Sequence, residues 1–351
     1  MTKAESKIRE LVNIKRTDSR YKLKTLLSYD WAKYYMVIGA RGIGKTYQAH
    51  HFLVGKWANE RIPFVIIRLS GESRNKLLCN NAVKLIDPIV ARKFGLELRT
   101  RGMDVYDVSR DPDMKTPMCK VLALSEFAKE KGVSLYDGEY DGWIHILVDE
   151  FQLEKNEVKR FDPLYNLAGS LENLLRDRMK KIRIIMCCNM LEESNSILEG
   201  GFNFIPEEFG IYKLKRKDCV IWYAPNTKEY MDKRKKTAAG ILMGDQSNFT
   251  NEIAQDRTMI SKEALVKPLV IIKFTKKTDD WYTVWNDNLL CKYNKEQIKD
   301  VIAMRAALDE RFSPERRDRI IGLYDSKMLC YRNMIVKSGF EKRLQTLKGR
   351  Y

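Results

Sequence analysis

The sequence holds 351 residues, 44% of them hydrophobic, with 64 Lys and Arg against 47 Asp and Glu, a net charge of +17 at pH 7. That apolar share can build a buried core and excludes disorder throughout, while the length suits about two domains of roughly 150 residues. No apolar run nears the roughly 18 residues of a bilayer span, and the charged start MTKAESKIRELVNIKR lacks the core of a secretory signal, so no membrane partner is expected.

The seven cysteines contain no C-x-x-C pair and read as free thiols of a reducing compartment. The positive surplus fits a polyanionic partner or a solvated basic surface, and charge alone does not choose between them.

In chain order, Tyr34 to Gly39, Phe64 to Leu69, Trp143 to Val148 and Ile182 to Cys188 are short apolar runs, nearly free of charge. Such runs suit parallel strands covered on both faces by helices. Between the second and third, two strand-like arms flank the turn-rich Arg110-Asp111-Pro112-Asp113 and predict an inserted hairpin. From Pro163, residues Leu164, Leu167, Ala168, Leu171, Leu174 and Leu175 recur at helical spacing and predict one amphipathic helix ending at Arg176-Asp177-Arg178. Lys213 to Lys236 holds nine Lys and Arg against three acids and, with the polar stretch after it, reads as a connecting element. A second strand pair, Leu269 to Thr275 and Trp281 to Trp285, follows around KKTDD, and two helical patterns close the chain near 295–308 and 314–336. The expected organisation is residues 1–212, a basic connector 213–264, and a small C-terminal α+β domain 265–351.

The strongest motif is Gly39-Ala40-Arg41-Gly42-Ile43-Gly44-Lys45-Thr46, which satisfies G-x-x-x-x-G-K-[ST] between an apolar strand and a helical stretch. Its glycines let backbone N–H groups converge on a phosphate at a helix N-terminus. Lys45 would reach the β- and γ-phosphates of ATP, and the Thr46 hydroxyl would coordinate Mg²⁺. The run Ile144 to Glu150 ends in Asp149-Glu150, carboxylates at the tip where parallel sheets bind ligands. Asp149 would serve the Mg²⁺ side and Glu150 would act as general base on water. The fold class expected is an α/β P-loop NTPase of the additional-strand, catalytic-glutamate type.

Asn189, ending the fourth run, either senses the γ-phosphate or is a satisfied turn residue. Arg176 and Arg178 either reach a neighbouring subunit's γ-phosphate or simply complement a helix C-terminus. His50, His51 and His145 have no metal-ligand spacing, and the adjacent Cys187 and Cys188 read as core. Trp281, Tyr282 and Trp285 read as packing for a small core rather than as base-stacking rings.

Three segments, VIGARGIGKTY (37–47), LVDEF (147–151) and LLRDRMKKIRIIMCCN (174–189), resemble the DNA-packaging (encapsidation) ATPases of phi29-like tailed phages, and KRKKTAAG (233–240) is similar too. The likeness covers most of residues 30 to 285. It implies a homomeric ring, in that family a pentamer, that docks on the portal of a procapsid and drives double-stranded DNA inward. It further implies cytoplasmic action in an infected cell, with room for a structural RNA at the portal. The position matching the family's trans-acting arginine is Arg176, with Arg178 at a second basic position. The trans-acting lysine matches Lys131, with Lys129 competing. The family's C-terminal domain resembles an RNase H-type nuclease without its carboxylates. Here the matching strand, Leu269 to Thr275, carries Lys273 and no acid, so no nuclease activity is expected. A helicase or loader ATPase, and a non-catalytic nucleotide-gated assembly protein, are the alternatives.

Overall fold

The computed structural model describes residues 12–15, 21–40, 42–130, 141–151, 161–176, 180–189, 195–206 and 209–225, with short strands and single positions beyond 231. The chain divides into two compact units, Thr2–Phe202 with Glu208–Ile253, and Asn203–Glu207 with Ala254–Tyr351.

The first unit is built on a ten-stranded sheet. Its strands are β1 (Val12–Lys15), β2 (Tyr34–Ile38), β3 (Phe64–Arg68), β4 (Leu98–Arg101), β5 (Asp104–Asp107), β6 (Cys119–Ala123), β7 (Ile144–Asp149), β8 (Ile182–Cys188), β9 (Gly210–Leu214) and β10 (Cys219–Tyr223), in the order β1-β9-β10-β2-β8-β7-β3-β6-β5-β4. From β10 to β6 every pairing is parallel, and antiparallel strands finish both edges. All six residues of β7 are buried, as befits a central parallel strand.

The helices are α1 (Leu23–Leu27), α2 (Lys45–Glu60), α3 (Gly71–Ala82), α4 (Pro88–Phe94) and α5 (Pro163–Leu175). Their starts follow capping chemistry. Ser70 accepts from the Ser73 amide before α3, and Asp87 and Asp162 accept from amides of the first turns of α4 and α5, each followed by proline. On one face of the sheet Ala49, Leu53, Val54 and Trp57 of α2 cluster with Tyr35, Val37, Leu147, Ile185, Cys187 and Trp222. The complementary strand residues, among them Met36, Ile38, Ile146, Val148, Ile184 and Met186, are buried on the other face, where α5 contributes Leu167, Leu171 and Leu174. Cys187 and Cys188 are both buried, as core cysteines.

One expectation is extended and two are corrected. The inserted hairpin is present: β5 and β6, the arms that flank Arg110–Asp113, pair antiparallel, with Asp104 opposite Lys120 and Val105 opposite Cys119, and β6 also pairs parallel with β3. A tighter pair that was not foreseen, β4–β5, turns at Gly102-Met103. The link from β5 to β6 is pinned by buried Asp107, which accepts from Trp57, Ser109 and Arg110. The boundary at residue 212 falls inside β9, and β10 lies beside the P-loop strand, so the basic run 213–223 belongs to the sheet. Its lysines crowd the turn after β9, and their charge masks Cys219-Val-Ile-Trp-Tyr223, which is wholly buried. In the second unit β11 (Val270–Lys273) and β12 (Trp281–Trp285) pair antiparallel as expected. They are joined there by β13 (Leu289–Tyr293) and β14 (Cys330–Tyr331), the last of which interrupts the helical pattern expected over 314–336. The pattern at 295–308 and the side chains of Trp281, Tyr282 and Trp285 lie outside the described residues.

Candidate nucleotide site

Four adjacent strands, β2, β8, β7 and β3, end side by side, and each delivers a polar group from its C-terminal tip. After β2 the chain passes through Gly44, left-handed at φ 90°, straight into α2. An L side chain strongly disfavours that angle, which glycine adopts freely. Gly39 is needed for another reason: a Cβ there would stand 2.8 Å from Ile43 Cδ1 and 3.2 Å from Ala224 Cβ. The N-terminus of α2 has no side-chain cap, so its first amides are left for an anion.

Lys45 is buried, and its ammonium turns back into the loop. Nζ donates to the carbonyls of Gly39 and Ala40, both at 2.7 Å, and to Asn189 Oδ1 at 2.8 Å. Burial lowers its pKa, and the neighbouring thiols and carboxylates oppose that shift. Asn189 is therefore part of the lysine's cage rather than a remote turn residue.

Thr46 Oγ1 donates to Asp149 Oδ1 at 3.3 Å. Asp149 is buried, which raises its pKa, while the Arg68 charge and the Thr46 hydroxyl oppose the rise. A hydroxyl beside a carboxylate is a hard-oxygen pair of the kind Mg²⁺ prefers, so the donor set fits that ion. Glu150 is exposed, held at φ 57° with its amide bonded to Cys187 O at 2.9 Å. A non-glycine residue in that region is a local strain of a kind found at working sites.

Arg68, at the tip of β3, is a site residue that sequence reasoning missed. Its two terminal nitrogens bridge the carboxylates, Nη1 to Asp149 and Nη2 to Glu150, each at 2.5 Å. Its Nε donates to Ser73 Oγ on α3 at 3.1 Å. The signal available was a lone cation ending an apolar strand, the mirror image of Asp149-Glu150.

Lys45, Thr46, Asp149, Glu150 and Asn189 are thus brought together. Arg176 is not among them. It follows α5, exposed, with a positive φ of 48°, and α5 returns from the tip of β7 toward the start of β8. Lys129 is paired with Glu126 at 2.7 Å. Arg41, Lys131 and Arg178 lie outside the described residues.

His50 and His145 are buried, and burial depresses their pKa values to about 4 and about 3. His50 Nδ1 accepts from the Asp87 amide at 3.1 Å. His145 lies between the rings of Phe52 and Trp143, so both histidines pack rather than ligate.

The podovirus DNA encapsidation protein (Gp16) family matches residues 17–291, well over half of the chain. Among solved structures, the Phi-28 gp11 DNA packaging motor aligns with a TM-score of 0.60 at 15% identity, over 95% of this chain and 99% of that one. The bacteriophage Phi-29 viral genome packaging motor assembly aligns with a TM-score of 0.55 at 19% identity, over 92% and 99%. At those identities the likeness is one of fold. No curated protein matches the chain in sequence.

Proposed function

The chain belongs to the podovirus DNA encapsidation protein family, and from that premise we propose that it is an ATP-hydrolysing motor that drives double-stranded DNA into a procapsid. It works as a homomeric ring, five subunits in the phi29-like pattern, at the portal and in the cytoplasm of the infected cell, where a structural RNA can share the dock. The observation that carries this reading is the convergence of Lys45, Thr46, Asp149 and Glu150 on neighbouring strand tips.

The resting contacts suggest how the site works. Triphosphate oxygens take the place of the Gly39 and Ala40 carbonyls at Lys45 Nζ, with the uncapped amides of α2 behind them. Thr46 and Asp149 would hold Mg²⁺, which supplies charge neutralisation on the phosphates when bound. Asn189 Oδ1, already 2.8 Å from Lys45 Nζ, keeps the ammonium aimed. Glu150 takes a proton from the water whose oxygen bonds to the γ-phosphorus, and the bond to the β–γ bridging oxygen breaks to leave ADP and phosphate. Glu150 cannot do this while tied to Arg68. Turnover therefore requires that arm of the bridge to open, with Arg68 still on Asp149 and Ser73.

Arg176 belongs to the site of a neighbouring subunit. Its own P-loop is at the opposite end of strands five to seven residues long, roughly 16–23 Å away at about 3.3 Å per residue. Lys131, or Lys129, and Arg178 are further contributors from a neighbour. The second unit is a nuclease-like domain without activity, a reading supported by β11, where Val270–Lys273 holds no acid. The motor domain runs through β10, and the connector begins after it.

The ring reading is tested by mixing Arg176→Ala subunits into unaltered protein. Turnover should fall faster than the fraction of unaltered subunits, while each variant subunit still binds ATP. Turnover unchanged by the variant would leave Arg176 as a helix-end residue.

A further inference from the structure

The far end of the same sheet carries a row of cations that the nucleotide site cannot use. Backbone bonds fix their order. Lys33 N and Tyr34 N donate to Asp218 O at the start of β2, Ile184 N donates to Lys33 O, and Ile144 N donates to Lys181 O. The turn Lys215–Lys217, Lys33 and Lys180–Lys181 therefore stand side by side at the starts of β10, β2 and β8. Among the described residues two carboxylates pair with these six cations, Asp218 with Lys33 at 2.8 Å and Asp141 with Lys181 at 3.1 Å. Lys180, Lys215, Arg216 and Lys217 are exposed, and none of them has an acidic partner among the described residues. Lys217 Nζ alone donates to a backbone carbonyl, that of Gly201, at 3.1 Å.

We propose that this row, centred on Lys215, Arg216 and Lys217 with Lys33 and Lys181 beside them, grips the backbone of double-stranded DNA. The proposal rests on the translocation reading above and adds a surface to it. Adjacent strands stand about 4.8 Å apart, so the row from β10 to β8 spans about 10 Å. A duplex presents a phosphate every ~1.7 Å of axis, so roughly six fall within that reach. The nearest rings point to a duplex rather than to unpaired bases: Tyr29 is under Lys213 and Tyr34 packs edge-on against Phe202, both half-buried and turned from stacking. Contacts made only by flexible cations carry no sequence preference, which suits a strand that must slide.

The test substitutes K215A, R216A and K217A together and measures binding of a random-sequence 30-base-pair DNA duplex against salt, beside basal ATP turnover. Each phosphate contact contributes about 0.9 to the slope of log affinity on log salt, so the slope should fall by about 2.7 and affinity at 0.1 M salt by tenfold or more. Basal turnover should be unchanged, and K76A with K115A, exposed elsewhere, should leave the slope as it was. An unaltered slope in the triple variant overturns the proposal while leaving the motor reading standing. So does lost turnover with unaltered duplex binding, which would set the row against a neighbouring subunit. A duplex RNA that binds tighter than DNA also overturns it. Absence of any duplex binding by the unaltered chain overturns both.

Discussion

Replacing Arg68 by alanine removes the cation that joins Asp149 to Glu150, and the two arms of that bridge differ in weight. The Arg68 and Asp149 side chains are 12% and 10% exposed, whereas Glu150 is 53% exposed. Stripping one partner from a buried pair costs about 3–5 kcal/mol, while a half-exposed arm contributes about 0–1 kcal/mol. For a unit of this size 1 kcal/mol moves Tm by roughly 2–4 °C, so Arg68→Ala should melt roughly 6–20 °C lower at pH 7. The sign with pH follows from Asp149. Burial already raises its carboxyl and Arg68 opposes that rise, so the variant carboxyl titrates higher still. A folded pKa above the unfolded value costs stability above that pKa and none below the unfolded one. The deficit should therefore be largest near neutral pH and shrink as pH falls, and nucleotide binding should need a more alkaline medium. Arg68→Lys keeps the charge but cannot span two carboxylates, so it should recover part of the Tm. Thermal melts between pH 5 and 8 read both effects. A variant within 2 °C of the unaltered protein at every pH would refute the bridge.

Gly39→Ala should fold, yet its Cβ pushes Ile43 and Ala224 apart at the mouth of the loop. A fluorescent-nucleotide titration should show affinity reduced tenfold or more, and unaltered affinity would mean that the loop yields freely. His145, with a folded pKa of about 3 against an unfolded value near 6.5, supports the fold fully above pH 6.5 and loses that support as pH falls toward 3. At pH 4 the loss reaches roughly 3 kcal/mol at about 1.36 kcal/mol per unit. His145→Phe should accordingly flatten urea midpoints between pH 7 and 4, and parallel curves for the two proteins would contradict this.

Much of this arrangement was legible in residue order. The four apolar runs are β2, β3, β7 and β8 within a residue or two, because buried parallel strands hold few charges, and those mostly at their ends. The helix from Pro163 was fixed at its start by Asp162 and Pro163 and along its length by its leucines. What escaped depended on partners distant in sequence. Arg68 is a lone cation until β3 and β7 lie side by side with Ile67 opposite Val148. Asn189 gains its meaning only from Lys45, 144 residues earlier. The lysines around 215 suggested a solvated connector because charge density was read without the apolar strands on either side. Those strands alternate with the turn, and the turn alone is exposed.

The most direct measurement is phosphate release from ATP by the unaltered chain and by Glu150→Gln, each with and without duplex DNA and procapsids, alongside ATP affinity. The account predicts turnover that DNA and procapsids stimulate in the unaltered chain. In Glu150→Gln it predicts affinity kept while turnover falls by about 10²–10⁴, the usual contribution of a general base. Equal turnover in the two proteins, or none in the unaltered one, would contradict it.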